Sequence, residues 1–272
     1  GPFFDSTQQS SFHSIRISCL DHPNVLTGTE VIPGAVSRQW VEERIMDWCH
    51  PTNNPNERSF QWKGKWYDPL PVFEARVLGR PPVEAEDQLI PLHWATMAQR
   101  PLAESYSGER VLGLDIARHG AAASAMVYRV GDHVILVKKQ RGNDITTTAD
   151  WLLAEIKENE ADVAYADEGG LGGGVVDICI RAGAPIQAVN VQRVAMQKTR
   201  FANLYHEMWW TVREKLRTGE MTLPYDDDLV ADLTSINYTH DHLGRIIVED
   251  KEQRVKRLGR SPDAGDALAM SY

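Results

Sequence analysis

Arg110-Val-Leu-Gly-Leu-Asp-Ile-Ala117 is the stretch that decides the fold. It is apolar on both faces of a two-residue period, which predicts a central, covered β-strand. Asp115 breaks that pattern. Alternation puts it on one face with Val111, Gly113 and Ala117. A carboxylate there is costly to desolvate unless a metal ion, a buried arginine or an open sheet face compensates it. Downstream, residues 123–130 and 133–139 read as two further strands joined by the hairpin turn Gly131-Asp132. Ala149, Leu152, Leu153 and Ile156 then repeat at helical spacing. A strand ending at Asp167, a glycine-rich loop, a helix over 174–182 and a strand over 185–191 come next. The order β-β-β-α-β-α-β predicts an α/β fold whose mixed sheet has three antiparallel strands, then parallel crossovers covered by helices. Phe201, Leu204, Tyr205, Met208, Trp209, Val212 and Leu216 share one face of a long helix. After it stand a shorter helix, a hairpin over 236–250 turning at Leu243-Gly244, and a helix opening at Ser261-Pro262.

The chain before this stretch is different. Eleven of the 14 prolines fall within residues 1–105, and periodicity is poor. A strand is expected over His13–Ser18, a helix capped by Ser37 over residues 37–48, and an irregular loop over 50–72. We therefore expect a boundary near residue 105, with 1–105 the tail of one domain and 106–272 a second. Gly1-Pro2 reads as an expression scar or as the cut edge of a longer protein, and the apolar Ala269–Tyr272 reads as a truncated end. No run approaches the ~18 apolar residues of a membrane span, and no signal peptide opens the chain. Three separated cysteines argue for a reducing compartment and against a disulfide framework. With 29 basic and 38 acidic residues the net charge is −9, which argues against nucleic acid held by bulk charge.

The candidate chemistry lies in the acids of residues 106–272. Asp167 ends a parallel strand, the edge where open α/β sheets place ligands. The glycines after it match neither a phosphate-binding loop nor a dinucleotide fingerprint. In Ser261-Pro-Asp-Ala-Gly-Asp-Ala-Leu268, Ser261 is expected to cap the helix with Pro262 at its first position, and the helix dipole accounts for Asp263. Asp266, one turn on, has no capping role and is the stronger ligand candidate. If the first strand pairs with the fourth, Asp115 and Asp167 stand on neighbouring strands, roughly 5 Å apart. A helix packed on the sheet can bring a third carboxylate to them. Such oxygens suit Mg²⁺ or Mn²⁺, and two ions ~3.5–4 Å apart can clamp a phosphodiester.

A strand aspartate, a strand-end aspartate and a C-terminal-helix aspartate resemble the arrangement of ribonuclease-H-like nucleases. The sequence also resembles the large terminase subunit of tailed phages. Gly113-Leu-Asp-Ile-Ala-Arg118, Asp167-Glu-Gly-Gly-Leu-Gly172 and Ser261–Leu268 are similar to that family's three nuclease motifs. Phe201-Ala-Asn203 with the helix beyond it resembles a family segment too. Ile15–Asn24, Ile32–Val36 and Phe73–Gly79 resemble the end of the family's ATPase domain. The resemblance implies a remnant of the packaging ATPase over 1–105 and a ribonuclease-H-like endonuclease over 106–272. It implies catalytic Asp115, Asp167 and Asp266 holding two Mg²⁺ or Mn²⁺ ions, with Asp263 as an accessory ligand. It also implies double-stranded DNA as substrate, portal and small terminase subunits as partners, and the host cytoplasm as location. No G-x-x-x-x-G-K-[ST] occurs, so ATP hydrolysis is not expected.

Residues 245–260 carry six basic groups, Arg245, Lys251, Arg254, Lys256, Arg257 and Arg260, against three acids. With Lys198 and Arg200 they are candidate phosphate contacts beside the acidic site. Other readings are a non-catalytic DNA-gripping or docking module, and a ribonuclease-H-like nuclease or resolvase outside packaging. Glu249-Asp250-Lys251 would instead suit a restriction-type nuclease, although a solvated hairpin explains the triplet better. His119, four residues beyond Asp115, is the histidine nearest this chemistry in sequence.

Overall fold

The computed structural model describes residues 15–80, 87–116, 123–141, 144–169, 171–259 and 261–272. His119 and Arg260 lie outside the described residues. The chain forms two compact units, residues 1–85 and 86–272. This boundary precedes the one expected from composition. Residues 87–105 pack with the second half of the chain: Leu89 N donates to Ile236 O at 2.8 Å, and Leu223 N donates to Ala98 O at 2.9 Å.

In the first unit, α1 (Pro23–Thr27) and α2 (Arg38–Trp48) precede a small antiparallel sheet. Ser37 caps α2 as expected, its Oγ accepting from Trp40 N at 3.1 Å. Residues 50–72 are not an irregular loop. They contribute to β1 (Cys49–Pro51), β2 (Phe60–Trp62) and β3 (Lys65–Pro69), in the order β1-β3-β2, and then to α3 (Pro71–Arg76). Phe60 stacks on both Tyr67 and Phe73, which gives these short strands a core that alternation did not reveal. The strand expected over 13–18 does not form within its described part, where Ile15 and Ile17 are exposed.

The second unit opens with α4 (Leu92–Ala98) and is built on β4 (Arg110–Asp115), β5 (Ala123–Val130), β6 (His133–Arg141), β7 (Val163–Asp167) and β8 (Ile186–Val189). The sheet order is β6-β5-β4-β7-β8, antiparallel across the first three and parallel from β4 to β8. The first strand does pair with the fourth. Helices α5 (Ile145–Glu158) and α6 (Leu171–Arg181) supply the crossovers. They cover one face, where Leu112, Leu114, Met126, Leu152, Val175 and Cys179 share a buried cluster. The remaining elements are α7 (Leu204–Thr218), α8 (Asp227–Thr234), β9 (Tyr238–His240), β10 (Ile246–Val248), α9 (Lys251–Leu258) and α10 (Asp263–Met270).

Helix α10 lies on the other face of the sheet, and Gly113 is what lets it approach. A Cβ at Gly113 would stand 2.1 Å from Ala267 O and 2.8 Å from Ser271 N. The face that carries Asp115 is therefore roofed by the helix that carries Asp263 and Asp266. Among the described residues, no helix is long and apolar enough to cross a membrane.

Candidate metal centre

Asp115 is the last residue of β4 and Asp167 the last of β7. Leu114 pairs with Ala166 in parallel register, so these aspartates stand in step on neighbouring strands. Asp167 Oδ1 accepts from Gly169 N at 3.2 Å. Gly172 serves packing: a Cβ there would stand 2.2 Å from Asp167 O, so its lack of one lets α6 start directly against the strand end.

The C-terminal helix is not capped by Ser261. Pro262 is its N-cap and contributes no side-chain bond. Asp232, fully buried in α8, accepts from Ala264 N at 3.1 Å and holds the first turn in place. Lys139 lies 3.5 Å from the same carboxylate. Sequence reading missed Asp232, although an acid inside the apolar run Leu229-Val-Ala-Asp-Leu233 was a signal of the same kind as Asp115.

Two basic residues of α9 meet the acids. Lys251 Nζ is 2.6 Å from Asp115 Oδ2 and 3.6 Å from Asp263 Oδ1. Arg254 is fully buried, and its Nη2 donates to both oxygens of Asp266 at 2.8 and 2.9 Å. Trp209 Nε1 adds a third bond to Asp266 Oδ1 at 3.1 Å. Among the described residues the Nε and Nη1 of Arg254 have no hydrogen-bond partner; its guanidinium instead lies 5.5 Å from the Trp209 ring centroid and 5.8 Å from that of Tyr205. Gly265 makes room for this arrangement, since a Cβ there would stand 2.8 Å from Trp209 Cη2. Its glycine weakens the helix but admits the indole. The legible signal for these partners was the spacing of Lys251 and Arg254, three apart and hence on one helical face.

Burial pushes the Asp115 carboxyl up to about 7, and the Asp266 and Asp263 carboxylates add to the rise against the pull of Lys251. Burial also raises Asp263. Burial works against the Lys251 ammonium, but Asp115, Asp266 and Asp263 outweigh it and hold its pKa above the ordinary lysine value. The centre is thus acidic, poorly solvated, and already organised around two positive charges, Lys251 at Asp115 and Asp263 and Arg254 at Asp266.

As candidate DNA contacts, Lys198, Arg200 and Lys256 are exposed. Four others are committed to carboxylates. Lys251 and Arg254 serve the centre itself, Arg245 Nε bonds Asp241 at 2.8 Å, and Arg257 Nε bonds Glu249 at 2.8 Å. The triplet Glu249-Asp250-Lys251 does not act as a unit: Glu249 holds Arg257, Asp250 caps α9, and Lys251 reaches Asp115. Among the described residues, no group of three or more His, Cys, Asp or Glu is placed to hold a metal ion.

No family model matches the chain, and no curated protein matches it. Solved structures do. The nuclease domain of the large terminase subunit gp2 of bacterial virus Sf6 matches with TM-score 0.59 and 21% identity, over 68% of this chain and 97% of that one. A mutant of that domain with manganese and beta-thujaplicinol matches with TM-score 0.61 and 19% identity, over 68% and 97%. The large terminase nuclease of thermophilic phage G20c with bound magnesium matches with TM-score 0.54 and 13% identity, over 70% and 98%. The chain shares the ribonuclease-H-like fold of phage large-terminase nuclease domains.

Proposed function

We propose that this chain is a divalent-metal-dependent endonuclease of a viral DNA-packaging motor, cutting concatemeric double-stranded DNA by two-metal phosphodiester hydrolysis. One observation carries the reading. At the carboxyl edge of a sheet shared with terminase nucleases, Asp115 and Asp263 hold a cation, the Lys251 ammonium. A pair that gathers one positive charge in a poorly solvated place is chemically fitted to Mg²⁺ or Mn²⁺. The Sf6 and G20c domains bind manganese and magnesium, which supports the same use here.

We take Asp115 and Asp263, which share the Lys251 ammonium, and Asp167, in step with Asp115 on the next strand, as the ligand set, although as they stand the three are not grouped around one point. Asp266 keeps a place at the centre, but both its oxygens already accept from Arg254. Its role is to add negative charge behind the ligands and to fix α10 against α9. Held there, divalent ions would polarise the phosphate and make a bound water more acidic. The chain's own residues do the rest. Gly113 brings α10 onto β4, Asp232 and Trp209 fix its first turn, and Lys251 withdraws from Asp115 to offer its charge to a phosphate oxygen. Residues 1–105 are read as the end of a packaging ATPase domain. The portal and small terminase subunit as partners, and the host cytoplasm as location, belong to the same reading.

The test is nicking of supercoiled plasmid with Mg²⁺ or Mn²⁺, expected for the parent and lost in Asp115→Ala and Asp167→Ala. A metal-dependent nick that survives Asp115→Ala refutes the reading. A second reading, a DNA-gripping module without chemistry, draws on the ion pairs themselves, since Asp115 and Asp266 are both neutralised by basic partners. Absence of nicking with either metal, together with DNA binding, would select it.

A further inference from the structure

We propose that the loop between β8 and α7, residues 190–203, is the element that grips DNA beside the acidic centre. In this proposal Arg193, Lys198 and Arg200 contact backbone phosphates, and Val194 and Met196 seat in the minor groove. The inference rests on the nuclease reading and adds to it how the duplex is held.

Charge singles out this segment first. From Ile178 to His206 the chain has no Asp or Glu, while Arg181, Arg193, Lys198 and Arg200 are basic, in a protein of net charge −9. Unlike Lys251, Arg254 and Arg257, the three loop cations are exposed. Arg200 lies over the rings of Phe201 and Trp210, at 5.2 and 5.3 Å, which restrains its stem without neutralising it.

Position is the second argument. Val189, the last residue of β8, is the register partner of Asp167. The loop thus leaves the sheet one strand from a proposed metal ligand, about 4.8 Å away. It returns into α7, whose Trp209 bonds Asp266. Both of its ends are tied to the acidic centre.

Rigidity is the third. Tyr205 N donates to Val191 O and Leu204 N to Arg193 O, both at 2.9 Å. Glu207 accepts from Met196 N at 2.6 Å and Gln197 N at 3.1 Å. Ala195 and Phe201 are buried anchors. Between and beside those anchors, Val194 is 68% and Met196 81% exposed. Backbone bonds hold these two apolar side chains out in solvent on a loop lined with positive charge. Apolar residues of this size, set among basic ones, are what proteins insert at the floor of the minor groove, while the flanking cations take the phosphates.

Two variants of the full chain test this, with binding of a short labelled duplex carrying 2-aminopurine read by anisotropy in EDTA across a salt series. Arg193→Ala/Lys198→Ala is expected to make the salt dependence shallower by about 1.8 log units per log unit, from about 0.9 per phosphate contact. Val194→Ser/Met196→Ser is expected to weaken binding about tenfold with the slope unchanged, the size expected for two partly buried apolar groups. It should also abolish the rise in 2-aminopurine emission that the parent produces. All four side chains are exposed, so folding is not at stake. If both variants bind and nick like the parent, the loop does not grip DNA, and a protein-docking surface takes its place. If Asp115→Ala abolishes nicking while the loop variants are unaffected, this inference alone fails. Nicking that survives Asp115→Ala is a failure of the nuclease reading instead.

Discussion

Asp115→Asn is expected to stabilise the metal-free protein, and by an amount that grows with pH. In the unfolded chain the carboxyl has its ordinary value of 3.8; in the folded chain burial pushes it to about 7. Between these values the folded state keeps a proton that the unfolded state has lost, so stability falls as pH rises through this window. The fall is about 1.4 kcal/mol per pH unit, or about 4 kcal/mol in total, and it is complete above pH ~7. Asparagine has no such titration. The pull of Lys251 is already contained in the value of about 7. The net gain is then about 4 kcal/mol at pH 8 and falls below about 1 kcal/mol at pH 4. Urea denaturation in EDTA, monitored by far-UV circular dichroism at several pH values, reads this directly. An Asn variant less stable than the parent at pH 8, or a difference independent of pH, refutes the account of Asp115 as a strained, poorly solvated carboxylate. Addition of Mn²⁺ at pH 8 should stabilise the parent and leave the variant nearly unchanged.

Arg254→Met strands the Asp266 carboxylate and should cost about 3–5 kcal/mol by thermal or urea unfolding, whereas Arg254→Met/Asp266→Leu should recover most of it. Equal stability of the single and double variants would show that the ion pair is not what holds α9 to α10. Gly265→Ala should destabilise by about 1–3 kcal/mol despite alanine's better helix propensity, because the added methyl meets Trp209; Trp209→Phe in the same chain should relieve part of the cost. Lys251→Ala removes a cation that competes for Asp115 and Asp263, so Mn²⁺ titrated calorimetrically should bind about tenfold tighter. Unchanged affinity would place the metal elsewhere.

The sheet was legible in the sequence because strand periodicity, turn residues and crossover handedness are local signals. Residues 110–117 read as a central strand, and the hairpin at Gly131-Asp132 with the two crossovers set the succession of strands. The pairing of the first strand with the fourth, which the sequence leaves as a condition, is met by β4 and β7 and brings Asp115 and Asp167 to the same edge. The short strands between Cys49 and Pro69 were not legible. Their order comes from Phe60 stacking on Tyr67 and Phe73, side chains that meet only after the chain has turned twice. The start of α10 was misassigned for a similar reason, since its first turn is held by Asp232 from α8 and not by the adjacent Ser261.

By itself, then, the sequence determined the succession of strands and helices, the helix faces and the likeness to terminase nucleases. The tertiary structure decided the charge pairing. Lys251, Arg254 and Arg257 form a basic rim when read along the chain. In space they are the counter-ions of Asp115, Asp266 and Glu249. The physical reason is that a helical face is set by neighbours three and four residues away, whereas the partner of a charge is set by whichever distant segment the core brings within a few ångströms. Lys251 and Asp115 are 136 residues apart in sequence and 2.6 Å apart in the fold.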